Sequence, residues 1–325
     1  MMRVVTAFLG WLLLMAVLPV TALGGTEKNE VGYDHPPRFD PIITDTAVPL
    51  HPNKLCLEYN CGLSFYTHRL SRNWRQQSAG GDYSSLDMEL KISYGLFRDC
   101  EIYVTLPFEY NWAGDVNQPG PGGERSSTFG GLDDVNLTIK YQLLAEGYRV
   151  PTITGLVAMD FPTGRYRNLD PGRLGTDAIG DGVYVLTGGL NFFKTLKPVY
   201  LYANLWYSVQ TAYDYEDTES GQDPFNYLYH PRDYLTVNLA IDYALTAKWF
   251  AKLEVNSYWD VGNLSGRIFG GQAQAPYTAL ITVQPGIGFM ATDRFSLDLG
   301  VGIDAWGKKS YRAITPLLSL GYSFY

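Results

Sequence analysis

Charge is scarce in this chain: Asp, Glu, Lys and Arg make up 18% of its 325 residues, and their balance leaves a formal net charge of −8. An acidic excess argues against a nucleic-acid partner, which requires a basic face to meet phosphate. Cysteine is scarcer. Cys56, Cys61 and Cys100 show no metal-ligand spacing, and no Cys-x-x-Cys-His haem-attachment run occurs. Cys56 and Cys61 are five apart, so on one strand they point to opposite faces and do not bridge. No metal or cofactor is expected. Of the four histidines, His35 and His51 lie in a polar N-terminal stretch, His230 in a loop and His68 at the end of the first strand. Ser64, on the same face as His68, is about 13 Å from it by strand rise. No nucleophile–base pair emerges, and no catalytic residue is assigned. Beyond residue 24 there is no stretch of eighteen apolar residues, so no transmembrane helix is expected there.

The long apolar run that does exist stands at the start, MMRVVTAFLGWLLLMAVLPVTALGG. Arg3, the run from Val4 to Val20 and the small residues near Ala22 and Gly24 have the layout of a cleaved secretory signal peptide over residues 1–24. An uncleaved helical anchor is the alternative, because the run approaches spanning length. No Cys stands at the cleavage point, which disfavours a lipoprotein.

What is abundant is tyrosine (25 residues), glycine (34 residues) and strict alternation. The stretch SLDMELKISYGL places Leu86, Met88, Leu90, Ile92, Tyr94 and Leu96 on one face and Ser85, Asp87, Glu89, Lys91, Ser93 and Gly95 on the other. A period of two is a β-strand whose faces meet different media. Such strands recur over 55–68, 85–96, 99–112, 132–144, 150–161, 182–193, 198–210, 233–245, 248–259, 277–290, 295–306 and 312–325. Their connections alternate long and short, the long ones rich in Gly, Pro, Asp and Asn. This pattern predicts an all-β fold: a closed antiparallel transmembrane β-barrel of about 12 strands, with long extracellular loops and short periplasmic turns. The barrel is assigned to residues 55–325, and residues 25–54 to an extended, proline-bearing N-terminal segment.

The distribution of side chains says which medium each face meets. One face of several strands begins and ends in rings around small or aliphatic residues, as in Trp249, Ala251, Leu253, Val255, Ser257, Trp259. Eight to twelve tilted residues rise roughly 20–30 Å, matching a lipid-facing band of about 25 Å with aromatic girdles. The opposite faces carry Glu58, Asp87, Glu89, Lys91, Glu101, Glu109, Lys140, Asp242, Lys252, Glu254, Asp298 and Asp304. Burying so many ions in a dry core would cost several kcal/mol each unless all were paired. Around a wet lumen they cost little.

Three segments carry a family resemblance: PIITDTAVPLHPNKLCLEYNCGLSFYTHR, GGLDDVNLTIKYQLLAEGYRVPTITGLVAMDFPTG and GDGVYVLTGGLNFFKTLKPVYLYANLWYS. They resemble the outer-membrane transporters grouped as "MetA-pathway of phenol degradation", with Thr44-Asp45-Thr46 before the first strand, Gly131 to Val135 opening the fourth and Pro162-Thr163-Gly164 closing the fifth. The resemblance implies a β-barrel in a Gram-negative outer membrane with a channel or transporter role, for aromatic or other hydrophobic compounds. It implies no catalytic residues. The chain departs from the family at its end: the lipid-facing register closes on Tyr322 and Phe324, and Tyr325 overhangs. The barrel-assembly machinery is the expected partner of this last strand.

The expected function is therefore a passive or facilitated channel for small solutes, with outer-membrane lipid around it. Candidate lumen-lining residues are Glu58, Glu89, Lys91, Glu101, Glu109, Lys140, Tyr202, Trp206, Asp242, Lys252, Glu254 and Asp298. Carboxylates outnumber lysines among them, which favours cations or neutral solutes. Pairing of Glu89, Lys91, Lys140 and Glu254 across strands, merely filling the barrel, is the alternative. Inward aromatics, Tyr200, Tyr202, Trp206, Phe250 and Tyr258, are either stacking surfaces or packing. Two other functional classes stay open: a lipid- or peptide-hydrolysing barrel enzyme, and a structural or scaffold barrel. Residues 25–54 either fold into the lumen as a plug or hang in the periplasm.

Overall fold

The computed structural model describes residues 41–70, 75–116, 125–211, 213–216, 226–229, 231–261 and 277–324. The signal-peptide reading of residues 1–24, the first part of the N-terminal segment and Tyr325 lie outside the described residues.

Among the described residues from Leu55 onward, strand predominates. In order come β1 (Leu55–Leu70), β2 (Gln76–Phe97), β3 (Cys100–Val116), β4 (Arg125–Leu132), β5 (Val135–Leu144) and β6 (Thr152–Phe161). After a single 3₁₀ turn at Pro171–Arg173 follow β7 (Val185–Leu196), β8 (Val199–Gln210), β9 (Tyr213–Glu216) and β10 (Asn226–Tyr229). The series ends with β11 (Tyr234–Ala244), β12 (Trp249–Asp260), β13 (Ala279–Thr292), β14 (Phe295–Lys308) and β15 (Tyr311–Phe324). All neighbours pair antiparallel. The sheet closes because β1 pairs with both β2 and β15, and β2 pairs with β3. β4 and β5 are two halves of one wall strand, both seated on β3, and β9 and β10 form a separate ribbon; the wall therefore counts twelve strands.

Most boundaries lie a few residues from the alternation read in the sequence, and two of the differences have clear physical reasons. β2 starts at Gln76 rather than Ser85, and its extra length pairs with the end of β1, Leu70↔Gln76 and Arg69↔Gln77. A hairpin that rises beyond the lipid is wet on both faces, so pairing persists where alternation has no cause. The fourth wall strand is broken at Asp133–Asp134, close to Pro107 of β3, which offers no N–H to the ladder. Its carbonyl instead takes the N–H of Asp133 at 3.0 Å.

The outward face is apolar and bare: Leu239, Ile241 and Leu253 are 52, 46 and 45% exposed. Rings sit at both rims. Trp249 and Phe289 meet at 4.5 Å and Tyr322 and Phe324 at 4.7 Å at the short-turn end, and Tyr110 and Trp112 at 4.7 Å toward the long loops. A water-soluble fold does not bare such a continuous apolar belt; lipid is its medium. The inside is the inverse of a globular core: Lys140, Glu254, Asn191, Asn204 and Asp242 are among its most buried side chains.

Candidate functional site

The lumen is crossed by the chain itself. Residues 41–50 run from the β12–β13 side of the wall to β3 as a crossbar, bent at Ile42–Thr44 and at Ala47, without joining the sheet. At one end the Glu254 carboxylate accepts the main-chain N–H groups of Ile42 (2.6 Å), Ile43 (3.1 Å) and Thr44 (2.9 Å), and the Thr44 hydroxyl at 2.9 Å. Ile42 seats in a hollow made by two glycines of facing strands: a Cβ on Gly300 would stand 2.9 Å, and one on Gly286 3.5 Å, from its terminal methyl.

The middle of the crossbar is held by charge. The Asp45 carboxylate lies 3.0 Å from Lys140 Nζ and 3.5 Å from Lys91 Nζ, and takes an N–H of Asn191 at 2.7 Å. Asn204 brackets the same residue, accepting its N–H at 3.0 Å and donating to its carbonyl at 2.8 Å. Thr154 then donates to the Ala47 carbonyl, and Glu101 accepts the Leu50 N–H at 2.7 Å. Beyond the crossbar, Asn53 and Lys54 bond to Gly95 of β2, which leads the chain into β1. Every anchor is a buried polar side chain meeting backbone or an opposite charge, the condition under which burying it is tolerable.

The candidate lumen residues fall around this segment. Lys91 also pairs with Glu58 at 3.2 Å, and Lys140 with Glu101 at 3.4 Å. Both lysines lie over the Tyr103 ring, at 4.7 and 5.5 Å. Glu254 faces the crossbar backbone, and Glu89 receives a long bond from Asn60 at 3.4 Å. Trp206 donates to Asn191 at 2.7 Å. Lys252 gathers Asp298 at 3.2 Å and Asp242 at 3.7 Å. Tyr202 packs with Phe193 below the crossbar, and Glu109 lies above it with the acids of the long-loop side. Tyr258 is on that upper side too, its ring tilted at 35° against Tyr234 with centroids 4.8 Å apart.

The two sides of the crossbar differ. Toward the long loops opens a chamber of about 670 Å³, floored by Pro41 to Asp45 and walled by Glu58, Asp87, Glu89, Glu109, Asp133, Asp134 and Asp160 against the single Lys91, with Trp206, Tyr234 and Leu156 between. The chain after β6 folds over its edge. The Asp134 carboxylate accepts the N–H groups of Gly164 (2.8 Å) and Asp181 (2.9 Å), and Thr163 bridges the wall break by bonding Asp133 O and Val135 N. Gly164 and Gly180 are needed there: a Cβ on Gly164 would stand 2.7 Å from Gly180 Cα. Arg165 and Arg173 cover the Phe129 ring, at 5.1 and 4.9 Å. Toward the short turns, Ala47 packs instead into a dry cluster with Phe193, Tyr202 and Ala240, flanked by Val48 and Tyr200.

Sequence reasoning missed Asp45, Thr154, Asn191 and Asn204 as site residues. Asp45 was visible only as part of a short motif. Asn191 and Asn204 were legible in principle, as polar residues at inward positions of otherwise apolar strands.

These features define an outer-membrane β-barrel of twelve wall strands. A family profile described as "Putative MetA-pathway of phenol degradation" matches residues 75–314, and the chain belongs to that family. No curated protein sequence matches it. Among solved structures it is similar to an outer membrane channel from Pseudomonas putida F1, at 14% identity and a TM-score of 0.65, over 88% of this chain and 100% of that one. It is also similar to the CymD monoaromatic hydrocarbon channel, at 11% identity and a TM-score of 0.42, over 85% and 90% of the two chains. The translocator domain of the autotransporter NalP from Neisseria meningitidis aligns at 10% identity and 0.45, over 85% and 89%.

Proposed function

We propose that the protein is a passive or facilitated outer-membrane channel for small solutes, closed in this conformation by its own residues 41–50. The observation that carries this reading is the crossbar: a segment hung across the lumen on side chains, outside the wall's ladder, that separates an open chamber from the opposite end. A purely structural barrel has no use for a removable partition. The chamber's charge favours cations and neutral molecules, and Trp206, Tyr234 and Tyr103 in its wall, with the family's description, support aromatic or other apolar compounds. Residues 1–24 direct export as a cleaved signal, and the last strand, ending in Tyr322 and Phe324, is what the barrel-assembly machinery engages.

The hydrolase alternative finds no support in Ser64, whose hydroxyl pairs with that of Thr315 at 2.9 Å rather than with His68. The test is conductance in planar bilayers and solute uptake by liposomes, using refolded full-length protein and a variant lacking residues 41–50. Low conductance that rises at least about tenfold on deletion is expected, since a pore of this wall size is narrow but open once cleared. A sealed barrel in both forms would overturn transport.

A further inference from the structure

Four rings meet on the short-turn side of the crossbar: Phe193 from β7, Tyr200 and Tyr202 from β8, and Phe250 from β12. Phe193 lies 5.0 Å from Tyr202, and 6.5 Å from Tyr200 in a nearly parallel stack at 14°. Tyr200 lies 6.3 Å from Phe250. Phe193, Tyr202 and Phe250 are buried. In a lumen where Lys91, Lys140, Glu101, Glu254, Asp242, Asn191 and Asn204 are buried, this dry patch stands apart. Its cover is not wall alone: Ala47 packs into the cluster, with Val48 against it.

The pairing is lopsided. Ala47 and Val48 are small, and the directional contacts that hold the segment come from the polar anchors on either side. Lifting the crossbar uncovers ring surface, a penalty that scales with the apolar area exposed. A hydrophilic solute leaves that penalty in place. A flat apolar ring removes it, by settling at the 4.5–7 Å centroid spacings that aromatic pairs prefer. We propose that Phe193, Tyr200, Tyr202 and Phe250 form a binding subsite for a single-ring aromatic solute, occupied by Ala47 and Val48 in the closed conformation. Solute binding and crossbar release are then one event, and the channel opens to the compounds it carries. This inference rests on reading the lumen as a solute path.

The test uses full-length protein in lipid vesicles, with Cys56, Cys61 and Cys100 changed to Ser and Ala47→Cys introduced; Val48→Cys is a second reporter. The rate at which a small charged thiol reagent labels the introduced cysteine reports whether the crossbar is seated, and heat-dependent gel migration reports an intact barrel. Benzyl alcohol is expected to raise the labelling rate about tenfold when present at roughly ten times its dissociation constant. Arabinose at the same concentration should leave it unchanged. Phe193→Ala with Phe250→Leu, or Phe193→Leu alone if the pair does not fold, should abolish the response. An equal rise in the ring variants would mean that benzyl alcohol acts on the bilayer, and would overturn the subsite. Uptake of benzyl alcohol without faster labelling would overturn the subsite and leave transport standing. Faster labelling that depends on the rings, without uptake, would keep the subsite and remove transport.

Discussion

Glu254 and Asp45 anchor the same ten-residue crossbar by opposite logic, and the contrast shows how the partition is built. Glu254 is a wall carboxylate gripping crossbar backbone: three N–H groups and one hydroxyl converge on it. Asp45 is a crossbar carboxylate gripped by wall side chains, Lys91, Lys140 and Asn191. At the first anchor the wall supplies the charge and the crossbar supplies only main chain. At the second, the crossbar's own charge neutralises two lysines that already hold wall partners, Glu58 and Glu101. The first anchor thus fails completely when one residue changes, while the second has reserves.

The largest effect is therefore expected at Glu254. Glu254→Ala leaves the N–H groups of Ile42 and Thr44, which are buried, and of Ile43, which is part-buried, without an acceptor, a loss of about 3–5 kcal/mol by the cost of breaking a buried charged interaction. Because about 1.4 kcal/mol is a factor of ten, the crossbar's seated population falls at least about a hundredfold relative to its unseated one. Single-channel recordings should show a high-conductance state that the unmodified protein visits rarely, with gel migration of the barrel unchanged. A conductance identical to the unmodified protein's would show that the crossbar does not close the path.

Asp45→Ala should act in the same direction but less. Lys91 and Lys140 keep their wall carboxylates, so the loss is that of one set of charge-assisted bonds, about 1.5–3 kcal/mol. Asp45→Asn, which retains hydrogen bonding to Asn191, should fall between it and the unmodified protein. Should Asp45→Ala open the channel more than Glu254→Ala, the ranking of the anchors is reversed.

How far this could be read in the sequence differs between wall and partition. The wall was legible because lipid outside and water inside impose a period of two on every strand, as in SLDMELKISYGL. What blurred were the places where those media stop: the hairpin above the membrane, where β2 begins at Gln76 without alternating, and the break at Asp133–Asp134, inside the Gly131–Val135 stretch read as the opening of the fourth strand. The partition was not legible, and lumen and periplasm both stayed open for residues 25–54. Its segment, PIITDTAVPL, has no periodicity because its residues meet different partners. Those partners lie far along the chain, 210 positions away for Thr44 and Glu254, and 159 for Asp45 and Asn204. The inward charges could be listed strand by strand, but what each one holds depends on a segment outside the repeating pattern.

A smaller effect belongs to the shape of the Glu254 end rather than its charge. Gly300→Ala puts a methyl group 2.9 Å from the tip of Ile42, tighter than ordinary contact, and overpacking of this kind costs about 1–3 kcal/mol at most sites. Ile42 lies outside the wall's ladder, where a small shift breaks no strand pairing, so the lower end of that range is expected. Ile42→Ala in the same background should restore the seated crossbar. Rescue in conductance would tie the effect to this contact, and its failure would place the damage in the β13–β14 wall.

The smallest expected effect lies in the chamber, and it separates closing the path from choosing what enters. Asp133 and Asp160 carry charge in the chamber wall without bonding to residues 41–50; Asp160 is instead taken by Asn136 at 2.5 Å. Changing both to Asn removes two of the seven carboxylates that face one lysine there. Crossbar anchors are untouched, so the frequency of opening should stay the same. What should change is ion preference: the cation-to-anion permeability ratio, read from the reversal potential across a salt gradient, should fall by about a factor of two by the logic of charged rings at a pore mouth. The change should shrink as salt rises, because the Debye length contracts from about 10 Å at 0.1 M to about 3 Å at 1 M. A variant that altered opening instead of selectivity would mean that the chamber and the partition are one device, with the mouth's charge holding the crossbar down from above.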